Sequence, residues 1–211
     1  MKSLAILLVL ISFGTIFAQG EYIESGQNAY GISLSGGYNP NVLSLSGSAA
    51  VSNSGTFDFG IGYGYLFSRV EDSVSKSTST VVRPFAAVHF LKQSETNPVS
   101  LSAMIEFQVH RITSKDESGQ ASLGSWAIGL SAFRRFEMSE MFQIQPFAAL
   151  SFFKPERFPG EPSSSMTPAF QFAAAFITRR GESAKVVLKP SVSFSKEATV
   201  YSLSFEFVDL L

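Results

Sequence analysis

Apolar residues alternate one by one with small or polar residues along most of this chain. The clearest segment is PVSLSAMIEFQVH, residues 98 to 110. The apolar residues that share one face of it are Val99, Leu101, Ala103, Ile105, Phe107 and Val109. A period of two over about ten residues predicts a β-strand and excludes an amphipathic helix, whose apolar positions recur at three and four.

About ten segments alternate in this way, and each is followed by a connection. They begin near Ala29, Leu43, Thr56, Val81, Val99, Leu123, Met141, Pro168, Ala184 and Val200. Short connections such as NSG and RRGES take turns with longer ones such as TSKDESGQAS. In an up-and-down meander the longer connections therefore gather at one end. The sequence predicts an all-β, antiparallel fold of about ten strands, with eight as the alternative.

The second face of these strands indicates where the apolar face points. Its residues are mostly small: Ser33, Ser35, Ser44, Ser46, Ser48, Gly60, Gly62, Gly64, Ala173 and Ala175. A water-facing sheet surface would carry Lys, Glu, Thr and Arg, whereas small side chains fit the crowded interior of a narrow barrel. The apolar face then meets lipid, and a β-structure that spans a bilayer must close into a barrel because it cannot leave a free edge.

The first residues predict export from the cytoplasm. Lys2 precedes an apolar run, LAILLVLISFGTIF, that is shorter than a membrane-spanning helix, and Ala18 follows it. We therefore expect a signal peptide at 1–18, a short periplasmic lead at 19–28 and a transmembrane barrel at 29–211. The absence of cysteine excludes disulfides and a lipid-anchored cysteine.

A few large polar residues share the inward face with the small ones, and they carry charges of both signs. We predict that they form a polar network in the lumen, made of Arg83, Glu106, Gln108, His110, Lys185, Lys189 and Glu206. Four prolines, Pro84, Pro146, Pro168 and Pro190, have the parity of the outward face. Proline cannot donate to a sheet ladder, so we expect them near strand ends or at bulges, except that Pro190 lies nearer the middle of its segment.

Catalysis, cofactors and nucleic acid find little support in the sequence. His89 and His110 are the two histidines, and either could act as a general base beside a carboxylate such as Glu106, or simply fill the lumen. Two isolated histidines make a weak metal site. A net charge of −1 gives no dense basic face for phosphates. We expect a non-enzymatic protein without cofactor or metal.

These features together resemble the small outer-membrane β-barrel proteins of Gram-negative bacteria. The resemblance rests on the signal peptide, the lack of cysteine, the alternating strands, the long connections at one end and the aromatic final strand YSLSFEF. Members of that class usually finish on an aromatic residue, whereas this chain continues with VDLL after Phe207. The resemblance implies a monomer in outer-membrane lipid that meets the outer-membrane insertion machinery during biogenesis.

The same resemblance implies a role without catalysis, either structural or in surface interaction through long extracellular loops. A barrel of this size is filled by its own side chains, whereas general porins need about sixteen strands. The alternatives are an outer-membrane hydrolase, a narrow pore, and a soluble periplasmic barrel that binds an apolar ligand. The ligand of the loops stays open.

Overall fold

The computed structural model describes residues 19–69, 76–114, 120–158, 166–196 and 198–211. One short 3₁₀ helix, Gln19–Glu21, precedes the strands. The strands are β1 (Ala29–Asn39), β2 (Val42–Asn53), β3 (Phe57–Arg69), β4 (Lys76–Leu91), β5 (Ser100–Ser114), β6 (Gln120–Phe133), β7 (Phe136–Glu137), β8 (Phe142–Phe158), β9 (Thr167–Arg180), β10 (Ala184–Ser195) and β11 (Thr199–Leu210). Across these ranges, no helix is long and apolar enough to cross a membrane.

The strands close into one antiparallel barrel. Apart from β6 and β7, strands that are neighbours in sequence pair with each other. β1 pairs with β11, and β6 pairs with β8, which completes the ring. The two-residue β7 lies in the connection between β6 and β8 and pairs only along the edge of β8. The other strands form a closed barrel of ten, so the predicted fold class and the larger of the two predicted strand counts are confirmed.

Most predicted strand starts lie within one residue of the observed ones, but β4 and β6 begin earlier than predicted. β4 starts at Lys76 and β6 at Gln120, where KSTST and QAS carry no apolar alternation. A backbone ladder needs no apolar side chain, so both strands continue beyond their apolar part. The terminal VDL belongs to β11, since Leu210 pairs with Ala29. The expected signal peptide lies outside the described residues.

The two faces of the barrel wall differ as the alternation indicates. Along β1, inward residues are buried and outward residues exposed in strict turn: Ile32 is 57% exposed and Ser33 is 4% exposed. The exposed outward residues include Leu34, Leu45, Phe59, Ile105, Leu130, Phe172, Leu203 and Phe205. Such a continuous apolar exterior needs lipid around it, which argues against a soluble barrel.

The four prolines all lie on the exposed outward face. Pro168 is at the start of β9, and Pro146 lies just past the last residue pair of β6 and β8, where its carbonyl accepts the Arg134 N–H at 3.3 Å. Pro84 and Pro190 lie in the middle of their strands, so the expectation of a strand end or bulge is wrong for Pro84, whereas Pro190 lies mid-strand as its segment indicates. The β4–β5 ladder skips from Val82 to Phe85 and the β9–β10 ladder from Leu188 to Ser191, with the register unchanged. The missing donor is thus accommodated by a local gap in the ladder.

A stripe of glycines on the inward face of β3 makes room for large side chains of β4. Gly60 is opposite Phe85, and Gly62 is opposite Arg83. A Cβ atom on Gly60 would lie 2.3 Å from the Phe85 ring and 2.8 Å from the Ala49 carbonyl oxygen. The small residues of one strand therefore accommodate the bulky residues of the next, which lets one narrow lumen hold both.

Candidate functional site

The lumen contains all seven residues of the predicted polar network, divided into two groups. Each of the seven is at most 8% exposed. One group lies on the neighbouring strands β4 and β5 and consists of Arg83, Glu106, Gln108 and His110. The other lies on β10 and β11 and consists of Lys185, Lys189 and Glu206.

The first group contains the histidine that could serve as a general base. His110 Nε2 lies 2.9 Å from Gln108 Oε1, so this nitrogen is engaged by an amide. Glu106, the carboxylate considered as its partner, is fully buried and interacts electrostatically with Arg83. This arrangement is that of a lumen-filling polar cluster.

The second group binds a segment that the sequence does not place in the barrel. Residues 20–23 of the lead, which spans residues 19–28, enter the lumen at the end of the barrel where β1 begins, β11 ends and the short connections lie. Glu21, Tyr22 and Ile23 are 4%, 0% and 1% exposed. The lead therefore plugs this end, which we call the short-turn end.

Charged side chains of the lumen hold the acidic and aromatic residues of the plug. Lys189 Nζ donates to Glu21 Oε2 at 3.3 Å and lies 4.2 Å from the centre of the Phe147 ring. The Tyr22 hydroxyl donates to Glu206 Oε1 at 3.3 Å. Burial raises the pKa of Tyr22, and the nearby glutamates raise it further, so its phenol stays a neutral donor.

Two cations from the short connections bind the plug backbone. Lys92 Nζ donates to the carbonyls of Gly20 and Ile23, the latter at 3.1 Å. Arg135 donates to the Glu21 carbonyl at 3.1 Å and forms an ion pair with Glu24. Burial lowers the pKa of Lys92 to about 8, and the positive charge of Arg135 lowers it as well.

The tip of the plug rests on a buried histidine–carboxylate pair. His89 Nε2 lies 2.9 Å from Asp58 Oδ2, and the same oxygen accepts the Gly20 N–H at 2.8 Å. A Cβ atom on Gly20 would lie 2.5 Å from the His89 ring, so only glycine fits this position without displacement. The sequence analysis did not pair Asp58 with His89, although both have inward parity at the same end of one hairpin.

An apolar seat completes the site around the two central plug residues. Tyr22 and Ile23 pack with buried residues of β1, β9, β10 and β11, namely Ala29, Ala175, Ile177, Val187 and Val208. Backbone groups, charges and apolar contacts thus fix the plug together. A small cavity of about 40 Å³ lies deeper in the lumen, beside Glu21, Phe147 and Gln171.

The opposite end of the lumen, which we call the long-loop end, is closed by apolar contacts. Val42, Leu66, Val81 and Val200 form a buried cluster there, with Ile112 and Ala198 packed against it. We call the four buried residues, Val42, Leu66, Val81 and Val200, the outer cluster. Among the described residues, no group of three or more His, Asp and Glu side chains is placed to hold a metal ion. The site is therefore a lumen closed at both ends by side chains and the lead.

Comparison with solved structures identifies the class of fold. The translocator domain of autotransporter NalP from Neisseria meningitidis is similar with a TM-score of 0.60 and 9% identity, over 99% of this chain and 96% of that chain. An outer membrane channel from Pseudomonas putida F1 is similar with a TM-score of 0.50 and 8% identity, over 90% of this chain and 97% of that chain. No protein-family model and no curated protein sequence matches.

Identities this low show a shared fold and nothing of shared activity. The closed ten-strand ring, the apolar exterior and the polar lumen are those of outer-membrane β-barrels. The chain has the fold of an outer-membrane β-barrel protein.

Proposed function

We propose that this protein is a non-catalytic outer-membrane barrel that acts at the cell surface, through a part of its wall that extends beyond the membrane. The extension lies at the long-loop end, on the side of β4, β5, β6 and β8. We also propose that the barrel is a monomer inserted by the outer-membrane assembly machinery. Its surface ligand is left open.

Strand length supports an extension on one side. β1 has 11 residues and β8 has 17. At about 3.4 Å per residue and a tilt of about 40°, these strands span about 28 Å and about 44 Å along the membrane normal. The apolar band of such barrels is about 25 Å tall. The wall at β8 therefore exceeds what the membrane needs, while the wall at β1 does not.

The chemistry of the outer surface changes where the extension begins, and this observation carries the proposal. On the lipid-facing side of β4 and β5, Val82 and Val109 are the last apolar pair before the long-loop end. The next pair on that side, closer to the long-loop end, is Thr80 with Arg111. On β8, Lys154 follows the exposed Phe152 on the same face. Polar and charged outward residues are stable in water and costly in hydrocarbon.

The closed lumen favours this role over a narrow pore. One end holds a buried peptide segment and the other a buried apolar cluster, and the cavity beside Glu21 is about 40 Å³. That volume holds one or a few water molecules. Among the described residues, the plug, the outer cluster and the small cavity leave little room for water along the lumen.

The plug also favours a non-catalytic role. A histidine–carboxylate pair such as His89 and Asp58 could serve in acid–base chemistry if substrate reached it. Both side chains are 0% exposed, and Gly20 lies against the imidazole ring. Histidine Nε2 is engaged by Asp58 Oδ2, so the geometry suits a contact that seats the plug.

Trimming the extension tests the proposal. In the trimmed variant, residues 113–120 and 154–166 are each replaced by Asn-Gly, which keeps the pairs Ile112 with Ala121 and Phe153 with Thr167. The control variant has residues 94–97 replaced by Asn-Gly at the opposite end. Cells that express wild-type protein should attach to glass and to one another several-fold more than cells without it. The trimmed variant should lose this gain and the control should keep it.

Two results would contradict the proposal. One is a trimmed barrel that is folded in the membrane and still supports full attachment. The other is wild-type protein that is present at the surface and has no effect on attachment. Surface display is checked with an epitope tag between Pro40 and Asn41, in the turn from β1 to β2 at the long-loop end that all three proteins keep. An antibody should reach this tag on intact cells, and it should not reach a tag at Glu182.

A further inference from the structure

Four cationic side chains converge on five residues of the lead. Lys185 and Lys189 come from β10, Lys92 from the connection after β4, and Arg135 from the connection after β6. Together they contact the backbone carbonyls of residues 20–23 and the carboxylates of Glu21 and Glu24. Asp58 and Glu206 of the barrel lie beside Lys92 and Lys189, and the carboxylates of Glu21 and Glu24 in the lead complete the neutralisation of the four cations. The mouth is therefore built around an acidic peptide.

The lead is joined to the barrel in a way that permits exchange. Residues 20–23 contact side chains of the barrel, in contrast to the strands, which share backbone ladders. Residues 24–26 are exposed, and Gly26 has a φ of 87° with open space around it. Glycine adopts positive and negative φ values about equally readily, so the direction of the backbone can change at this position. The Gly26 N–H donates to the Ser54 carbonyl at 2.9 Å. The lead can thus swing out about residues 24 and 25 while Gly26 and β1 stay in place.

A cleft beside the plug offers a place where a second peptide can begin to bind. It has a volume of about 200 Å³ and opens at the short-turn end. Its lining includes Lys92, Arg135, Ser100 and Gln145, and on the plug side Glu21 and Glu24. Two of the four cations of the mouth are therefore reached from this cleft while the lead is still in place.

We propose that the short-turn mouth is a binding site for an acidic peptide segment of another envelope protein, and that the lead is its built-in competitor. The peptide has the pattern of the lead itself, with a glycine, a glutamate, an aromatic residue, an apolar residue and a second glutamate. The proposal goes beyond the surface role proposed above. Because the two sites lie at opposite ends of the barrel, either can fail without the other.

The structure assigns a recognition element to each position of that pattern. The first residue meets the Asp58–His89 pair, where a side chain would collide with the imidazole. The first glutamate meets Lys189, and the second meets Arg135. The aromatic residue donates to Glu206 from an apolar seat. The outer cluster closes the far end of the lumen, so the mouth is a pocket for binding and does not lead into a channel.

The test uses the full chain and the synthetic peptide Gly-Glu-Tyr-Ile-Glu carrying a fluorophore. A double variant, Gly20→Val with Tyr22→Ser, should expel the lead, because the valine collides with His89 and the serine leaves the apolar seat. Expulsion is read from Ala175→Cys, a buried position in that seat in a chain without other cysteines. The peptide should bind the expelled variant at least tenfold more tightly than the wild type, and it should protect the cysteine again.

Matched changes separate recognition from general charge attraction. On the expelled background, Arg135→Gln should weaken peptide binding at least tenfold, whereas Arg180→Gln, an exposed arginine at the same end, should leave it unchanged. A peptide with both glutamates replaced by glutamine should also bind at least tenfold more weakly. Equal binding of the two peptides, or equal effects of the two arginine variants, would overturn the assignment.

The wild-type protein gives a second readout if the double variant does not fold or keeps its lead. At millimolar peptide, which is comparable to the effective concentration of a segment on a short flexible tether, a photo-crosslinking version of the peptide should attach near Lys92 and displace the lead in a fraction of the molecules. The crosslinked fragment is then identified by mass spectrometry. Absence of any crosslink at the mouth under these conditions would overturn the proposal, as would an expelled and folded variant that binds no peptide.

Discussion

The two ends of the lumen are closed by different physical means. At the short-turn end residues 20–23 of the lead are held by Lys189, Lys92 and Arg135, together with an apolar seat. At the long-loop end the outer cluster closes the lumen with side chains that belong to the wall itself. The first closure consists mainly of polar contacts made by a segment outside the strand ladders, and the second of apolar contacts made by strands.

Because of this difference, the two closures should respond differently to substitutions. A segment outside the strand ladders that loses a contact can leave the lumen and regain hydration, so the cost to the barrel stays local. A strand cannot leave without breaking its ladders, so a change in the outer cluster affects the whole barrel. We therefore expect variants at the short-turn end to change access to the lumen, and variants at the long-loop end to change global stability.

The largest effect is expected at the outer cluster. Leu66 is 2% exposed and Leu45, which faces lipid, is 59% exposed. Leu66→Ala should lower the free energy of unfolding by about 2–5 kcal/mol, because it leaves a cavity among packed side chains. Leu45→Ala should cost about 1 kcal/mol or less, since lipid can fill the space. Urea unfolding in lipid vesicles measures both, and equal costs would mean that the cluster is not packed.

The next effect separates the two ends by access. Ala175→Cys reports on the short-turn end and Val200→Cys on the long-loop end, and both positions are at most 1% exposed. Glu21→Gln should raise the rate of thiol labelling at position 175 by about 10- to 100-fold, since it weakens a charge-assisted hydrogen bond. Labelling at position 200 should not change. A rise at both positions would show that the two closures act as one.

A smaller effect depends on pH through Lys92. Its folded pKa of about 8 lies below the ordinary value of 10.5. Between these two pH values the unfolded chain holds a proton that the folded chain has released, so this group makes stability rise with pH. The Tm of the wild type should rise by about 2–4 °C relative to Lys92→Met from pH 8 to pH 10. Parallel curves for the two proteins would contradict the depressed pKa.

The smallest effect is expected from salt. Raising salt from about 0.1 to 1 M shortens the screening length from about 10 to 3 Å. Arg135 and Glu24 form the most exposed ion pair of the plug, with 65% of the Glu24 side chain accessible. Labelling at position 175 should become about two- to threefold faster, and labelling at position 200 should stay constant. A strong salt response at position 200 would show that charges contribute to the outer closure.

The sequence predicts the wall of this barrel well because the wall repeats one local rule. Each strand shows its inward and outward faces through alternation alone, so Ser33 and Ile32 are placed correctly without knowledge of their partners. Closure follows from the needs of the bilayer. The early start of β4 at Lys76 is missed because its ladder continues where alternation ends.

The plug is not predicted because its contacts join distant parts of the chain. Glu21 meets Lys189 across 168 positions, and Tyr22 meets Glu206 across 184. No local period encodes such pairs. The Asp58–His89 pair is different, since the hairpin of β3 and β4 sets Asp58 opposite Ala87 and thereby near His89. Pairing charges along each hairpin would have found it.

Two of the prolines affect how easily the barrel wall can bend. The ladder gaps at Pro84 and Pro190 fall between β4 and β5 and between β9 and β10. They divide the circumference into an arc of four long strands, β5, β6, β8 and β9, and an arc of six, from β10 through β11 and β1 to β4. A barrel wall bends most easily where hydrogen bonds between neighbouring strands are missing. Lateral pressure from the bilayer should therefore deform this barrel first at the two ladder gaps. The cross-section of the barrel should then become elliptical. Each arc of strands keeps its own shape, and the two arcs rotate relative to each other about the two gaps.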